Sequence, residues 1–461
     1  MKILLINPPS PQEQRYFTNP PIGLLSLASV LKEKNHEVQI LDLYTFGGDH
    51  KELINSIKKQ KFEVVGITGM SFQHNTILRM AKLVKIVDPN IITILGGAHA
   101  SALPELLLKD KNVDFILRGE ADYSLPAFLD VINKPNEWNR IAGLCFKTDD
   151  DITISPLEII DNIDSLPIPA WDLIRFQNYS GSPHGFFYQR EPIGQIITSR
   201  GCPYSCTFCA AHTIHSKKWR AQSSKRVIAE LDYLVKILGI KELHIEDDNF
   251  SVNLQRAKDI FKEIIRRKYN LSIAFPNGLR IDRLDDELLQ LMKIAGVYSM
   301  TFGIESGSER ILRRIKKSLK LDFLETQLKR IKKYGFFCQG FFIIGFPYEN
   351  KDDVIRTIHY SLKIDLDGAF FGTYVPLPGS EDFNELVSKN KINIETMNWD
   401  LMFSMRAQNM SYYLNAKDIK TLIRLANIRF YLRIKIFLGI LKRIRGYKHV
   451  LSFLQRLREL I

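Results

Sequence analysis

Over residues 1–140, short apolar runs alternate with longer stretches in which apolar positions recur at helical spacing. Ile3–Ile6, Val38–Asp42, Val64–Ile67 and Ile91–Leu95 read as strands, and Gly23–Lys34, Leu53–Lys59 and Thr76–Val87 as helices. Strands alternating with helices of about a dozen residues predict a doubly wound, Rossmann-like α/β domain with a parallel sheet. Such sheets take ligands outside the carboxyl ends of their strands. Those ends here carry Asn7-Pro8-Pro9, Thr68-Gly69-Met70-Ser71, Gly96-Gly97-Ala98-His99 and Arg118-Gly119-Glu120. Small residues dominate, so the backbone can approach a large flat ligand closely.

The alternation stops between Arg140 and Glu191, where Ser155-Pro156, the run Leu166–Asp172 and the Gly/Ser/Pro stretch Ser180–Gly185 read as a linker. It resumes with strands expected at 195–198, 242–246, 272–276, 299–303, 338–344 and 369–375. The expected division is a Rossmann-like domain over 1–140, a linker over 141–190, a second α/β domain over 191–385 and a helical region over 386–461. There is no internal repeat and no low-complexity tract.

Charge changes the picture only at the end of the chain. The 461 residues carry a net charge of +13, and twelve Lys or Arg against Asp418 and Glu459 lie between Asn415 and Ile461. Leu422, Leu425, Ile428, Tyr431 and Leu432 recur there at helical spacing among Arg424, Arg429, Arg433 and Lys435, with a break expected at Gly446-Tyr447. A basic amphipathic helix either packs its apolar stripe on the body of the protein or makes a peripheral contact with an anionic membrane surface through 416–461. Nucleic acid is not an expected partner, because no recognised binding module accompanies the charge. No apolar segment approaches the ~20 residues that span a bilayer, and the start of the chain reads as a strand, so a cytoplasmic location is expected.

The densest chemical signal is Arg200-Gly-Cys202-Pro-Tyr-Ser-Cys206-Thr-Phe208-Cys209 directly after an apolar stretch. Three thiolates on one loop can hold three irons of a four-iron cluster and leave the fourth open to a ligand. A structural zinc site would need a fourth ligand, usually from a second cysteine pair that the sequence lacks. Three close cysteines cannot pair evenly as disulfides, and five in the chain point to a reducing compartment. Cys145 and Cys338 stand alone in apolar contexts and read as core residues.

The cysteine motif, with Phe208 before its last member, resembles the signature of the radical S-adenosylmethionine (SAM) superfamily. The strand-end series of residues 1–140 resembles the cobalamin-binding domain that precedes one branch of that superfamily, the branch that includes class B-like methyltransferases and the anaerobic magnesium-protoporphyrin cyclase. The resemblance implies a partial (β/α)6 barrel over the second domain. It implies three cofactors: a [4Fe-4S] cluster on Cys202, Cys206 and Cys209, SAM, and cobalamin (B12) held by Asn7, Thr68, Gly69, Ser71, Gly96, Gly97, His99, Gly119 and Glu120. No Asp-x-His-x-x-Gly motif is present, so no histidine of that kind can ligate cobalt from below. His99 reads as a loop histidine that shapes the pocket.

For SAM, the resemblance implicates Phe208, one of Asp247 and Asp248, Arg280 and Glu305. The carboxylates of Glu246-Asp247-Asp248 either face water or meet a cation, which SAM would supply. Arg280 pairs either with the SAM carboxylate or with Asp282. Glu305 suits adjacent ribose hydroxyls. Gly340–Pro347 resembles the motif that flanks adenine, and Tyr374 either faces substrate or is packed.

The reaction implied is reductive SAM cleavage followed by methyl transfer from cobalamin to an unactivated carbon of a small-molecule or lipid substrate. An external donor such as flavodoxin or ferredoxin would supply electrons. Other radical chemistry on the same scaffold, such as ring closure or carbon-carbon bond formation, and a binding protein without turnover are the alternatives.

Overall fold

The computed structural model describes residues 1–9, 19–46, 50–148, 151–179, 188–403, 410–444 and 450. The Ser180–Gly185 run and the Gly446-Tyr447 break lie outside the described residues. Two compact units are present. The first comprises Met1–Tyr179 with Cys209–Arg220 and Leu377–Met402, and the second comprises Ser180–Phe208, Ala221–Pro376 and Phe403–Ile461.

In the first unit, β1 (Lys2–Asn7), β2 (Glu37–Asp42), β3 (Val64–Ile67), β4 (Ile92–Leu95), β5 (Phe115–Leu117), β6 (Leu144–Lys147) and β7 (Ile152–Ile154) form one sheet in the order β2-β1-β3-β4-β5-β6-β7. The β1 to β5 pairings are parallel, as the alternation with helices predicts. Successive side chains of a strand face opposite ways. Leu4, Ile6, Val65 and Ile67 therefore enter one buried cluster, while Ile3, Leu5, Val64 and Ile94 enter another across the sheet.

The sheet continues past the boundary expected at residue 140. Leu144, Cys145 and Phe146 alternate between the two faces, β6 pairs antiparallel with β5, and β7 pairs antiparallel with β6. The Pro-rich flanks obscured this hairpin in the sequence. Cys145 sits in the core, and burial pushes its thiol up to about 11.

The second unit is a six-stranded, all-parallel sheet in chain order: β8 (Ile193–Ile196), β9 (Glu242–Ile245), β10 (Ser272–Leu279), β11 (Val297–Glu305), β12 (Phe337–Ile344) and β13 (Gly368–Thr373). Several crossover helices begin with capped turns. Ser223, Asn253, Asp285 and Asn350 each accept a bond from the backbone N–H three residues on, which satisfies a donor the helix start would otherwise orphan. The sheet is open, with β8 and β13 as its edges, in keeping with a partial barrel.

An unpaired edge is a template for further strand pairing. The helix Ala416–Tyr431 covers the edge at β13: the Tyr431 hydroxyl bonds Ala369 O at 2.5 Å, and Phe430 packs on Phe371. Its buried face is Ile419, Leu422, Ala426, Asn427 and Phe430. Ile428 and Leu432, part of the stripe read from sequence, point to solvent instead. The stripe was misread by about a third of a turn, because apolar residues lie all round this helix. No helix among the described residues is long and apolar enough to cross a membrane.

Candidate functional site

In the first unit, the ends of β1, β3 and β4 meet where the strand order reverses, the usual ligand crevice of such sheets. Asn7 donates to Asp42 Oδ1 at 2.9 Å, and Tyr179 donates to Asp42 Oδ2 at 2.7 Å. Burial pushes the Asp42 carboxyl up, against these bonds. Gln73, which sequence reasoning missed, ties two strand-end loops together. Its Nε2 donates to Pro8 O at 2.9 Å and its Oε1 accepts from Met70 N at 2.9 Å. Gly96 N donates to Ile67 O, and His99 N to Gly69 O. Gly97 has φ +83°, and a Cβ there would lie 2.4 Å from Thr68 Oγ1 and 3.0 Å from Gly69 N. Only glycine permits both that conformation and that approach.

His99 is not in a loop but in the short helix Gly97–Ala102. Its Nε2 lies 2.8 Å from His74 Nδ1, and its Nδ1 lies 3.1 Å from Ser71 Oγ. Both ring nitrogens are thus engaged, and burial, assisted by His74, pushes its pKa down to about 3. His74 in turn stacks on Trp399 with ring centres 5.1 Å apart. His99 is therefore a neutral strut between the segments that follow β3 and β4, with no lone pair to spare for a metal.

Gly119, at φ +71°, donates its N–H to Ser101 Oγ at 2.9 Å. Glu120 was expected to face a cofactor, but its carboxylate is fully buried and turned toward protein. Arg220 binds both oxygens at 2.7 Å, His215 Nδ1 lies 2.9 Å away, and Ile160 N donates at 3.2 Å. The same guanidinium reaches Ile160 O and His215 O. This latch closes Cys209–Arg220 onto the end of β5.

The cysteine loop leaves β8, with Cys202 and Cys206 in the second unit and Cys209 at the start of a segment of the first. None of the five cysteines is joined in a disulfide, and Cys202, Cys206 and Cys209 are half-buried. No group of three or more His, Cys, Asp or Glu side chains is preassembled as a metal cage among the described residues. The donor set, three thiols on one loop, nevertheless fits a three-thiolate iron-sulfur cluster. Burial pushes the Cys206 thiol up while Lys317 pulls it down and Glu305 pushes it up. Cys338, inside the core, is pushed up to about 12 by burial.

Asp247 and its neighbour separate by environment. Asp247 is buried and accepts from Thr198 N and Thr198 Oγ1, both at 2.6 Å, and from Ser199 Oγ at 2.5 Å. It therefore braces the backbone leading to Cys202, and burial pushes its carboxyl up despite Arg256 and these donors. Asp248 is exposed. Asn249, unnoticed in the sequence, directs Nδ2 toward Cys202 Sγ at 3.9 Å.

Arg280 makes a two-pronged pair with Asp282 at 2.8 and 3.0 Å, and its guanidinium lies 3.7 Å from the ring centre of Tyr204 in the cysteine loop. The aspartate expected as one of its possible partners is in place. Glu305 adopts φ +67° at the end of β11 and pairs with half-buried Lys317 at 2.9 Å. A Cβ at Gly303 would fall 2.5 Å from Glu305 Oε1, so glycine leaves room for this carboxylate. Phe208 packs edge-on against Phe346, which touches buried Tyr374, so Tyr374 is a packed residue.

Glu349 closes the turn after β12. Its Oε2 accepts from Gly345 N at 2.6 Å and Phe346 N at 3.3 Å, its Oε1 has no partner, and burial pushes its pKa up to about 8. The folded chain holds a proton that the unfolded chain releases near 4.5. Stability is thus expected to fall as pH rises between those values, by about 1.4 kcal/mol per pH unit. Thermal unfolding of Glu349→Gln should lose this component, so the gap between variant and wild type widens in the variant's favour from about pH 6 to about pH 8.

Residues 13–129 match the family described as B12 binding domain, and residues 196–361 match the radical SAM superfamily. An uncharacterized methyltransferase of Pyrococcus horikoshii is 33% identical over 95% of this chain and 94% of its own length. The cytidylyl-2-hydroxyethylphosphonate methyltransferase of Streptomyces wedmorensis is 28% identical over 91% of this chain and 88% of its own length. Among solved structures, the cobalamin-dependent SAM radical enzyme OxsB, with aqua-cobalamin and SAM bound, superposes with a TM-score of 0.74 at 16% identity, covering 99% of this chain and 71% of that one.

The fold and the thiol loop define a radical SAM enzyme joined to a corrinoid-binding domain. The chain belongs to the cobalamin-binding radical SAM family, whose cofactors are cobalamin, a [4Fe-4S] cluster and SAM.

Proposed function

We propose that the chain is a methyltransferase acting on an unactivated carbon of a small-molecule or lipid substrate. The observation that carries this reading is the near full-length relationship to the Pyrococcus methyltransferase, supported by the Streptomyces one. When bound, the cluster supplies the electron that splits SAM into methionine and a 5′-deoxyadenosyl radical, and cobalamin supplies the methyl group.

Cys202, Cys206 and Cys209 hold the cluster. Asp247 fixes the strand end from which their loop departs, and Asn249 directs its amide at Cys202. Asp248, Glu305 and Phe208 line the SAM side; Asp247 is already committed to Thr198 and Ser199, and Arg280 to Asp282. Asn7, Thr68, Gly69, Ser71, Gly96 and Gly97 present the corrinoid with backbone and short side chains, while His99, Gly119 and Glu120 hold that wall from behind. A flavodoxin or ferredoxin delivers the electrons.

The test is mass-spectrometric quantification of 5′-deoxyadenosine and S-adenosylhomocysteine from anaerobically reconstituted protein, with and without cobalamin. Both products are expected, the second only with cobalamin. Deoxyadenosine alone would overturn methyl transfer in favour of non-methylating radical chemistry.

A further inference from the structure

The helix Ala416–Tyr431 spends its apolar face on the edge at β13, but the next helix, Ile434–Leu441, does not. Only Ile436 and Ile440 of that helix are buried. Ile434, Phe437, Leu438 and Leu441 are exposed at spacings of three, one and three residues, a single stripe along the helix. Leu432 and Ile434, at 75% and 77% exposure, continue it toward Ile428. Contiguous apolar surface of this kind marks an interaction site rather than the usual scatter of single residues.

The helix is held firmly from its other side. Arg433 donates to Leu362 O and Phe430 O, Lys435 pairs with Asp365, and the guanidinium of Arg443 lies 4.0 Å from the ring centre of Phe337. The stripe is therefore presented outward by a fixed support. Exposed Arg429, Lys435 and Lys442 border it, and the sequence contains no Asp or Glu from Ile419 to Arg458. Apolar side chains rimmed by predominantly positive charge match one kind of surface, an anionic lipid headgroup layer over hydrocarbon.

We infer that this stripe docks the enzyme on an anionic bilayer surface, with Phe437, Leu438 and Leu441 entering the headgroup boundary and the basic rim meeting the phosphates. The inference is independent of the reaction carried out.

The test is co-sedimentation of the full chain with vesicles of equal parts phosphatidylglycerol and phosphatidylcholine, and with pure phosphatidylcholine, beside a Phe437→Glu/Leu441→Glu variant checked for fold by circular dichroism. The wild type is expected to partition about tenfold more onto the anionic vesicles, and the variant to lose about tenfold of that binding. Failure to bind anionic vesicles overturns the inference. Binding that the variant retains in full also overturns it, because charge alone would then suffice. A wild-type dimer in light scattering that the variant converts to monomer does so too, since a second copy would then cover the stripe.

Discussion

Cys206→Ala protein, reconstituted anaerobically with iron, sulfide and SAM, is expected to form 5′-deoxyadenosine at least about a hundredfold more slowly than wild type. That floor is the upper end of the cost of disturbing a ligand's outer partner, and a missing ligand costs more. With two thiolates left on the loop, the four-iron cluster loses one of its three anchors. Its characteristic absorbance and iron content should fall with the activity, which separates loss of the cluster from loss of SAM binding. Asn249→Ala supplies the internal comparison. It removes only an amide directed at Cys202, so it should keep the cluster and lose roughly tenfold. Equal losses from the two variants would place the essential function of the loop elsewhere.

The second large effect concerns stability. Arg220→Ala strips both oxygens of fully buried Glu120 of their cation and is expected to destabilise the protein by about 3–5 kcal/mol. For a unit of this size that lowers the unfolding temperature by about 10 °C, measurable by circular dichroism. Glu120→Ala alone should cost a similar amount, because it leaves the guanidinium buried among carbonyl oxygens. Combining Arg220→Met with Glu120→Gln should recover much of the loss, since neither buried charge remains and the amide oxygen can still accept from Ile160 N. A double variant as unstable as the sum of its parts would mean that the latch acts through its shape rather than its charges.

The difference between what was legible and what was not is one of range. Strands such as Val64–Ile67 and Gly368–Thr373 announce themselves because their periodicity is local, and the thiol loop does so because its ligands are consecutive in sequence. Gly97 was legible as a small residue at a strand end, though not as a position where any side chain would strike Thr68. Glu120 was misplaced because its partners, Arg220 and His215, lie about a hundred residues away and no local pattern announces them. Trp399 against His74 is of the same kind. Asp247 and Asp248 are indistinguishable in sequence; only strand geometry sends one inward to Thr198 and leaves the other exposed. In the tail, Ile428 and Leu432 fit a helical stripe as well as Ala426 and Phe430 do, and only the edge at β13 selects between them.

The helix laid along β13 also sets a condition on how the protein is made. Synthesis proceeds from the amino end, so Gly368–Thr373 leaves the ribosome well before Tyr431, by about 3 to 12 s at ordinary elongation rates. For that interval the nascent sheet carries an open strand with bare amides and carbonyls, and the residues that will cap it do not yet exist. Such an edge recruits strands from neighbouring chains. Crowded polysomes, slow codons within the last sixty or so residues, or premature termination just beyond Pro376 would all lengthen the exposure. The helix along β13 thus works as a stopper whose late arrival makes translation speed and chaperone supply part of this protein's folding problem.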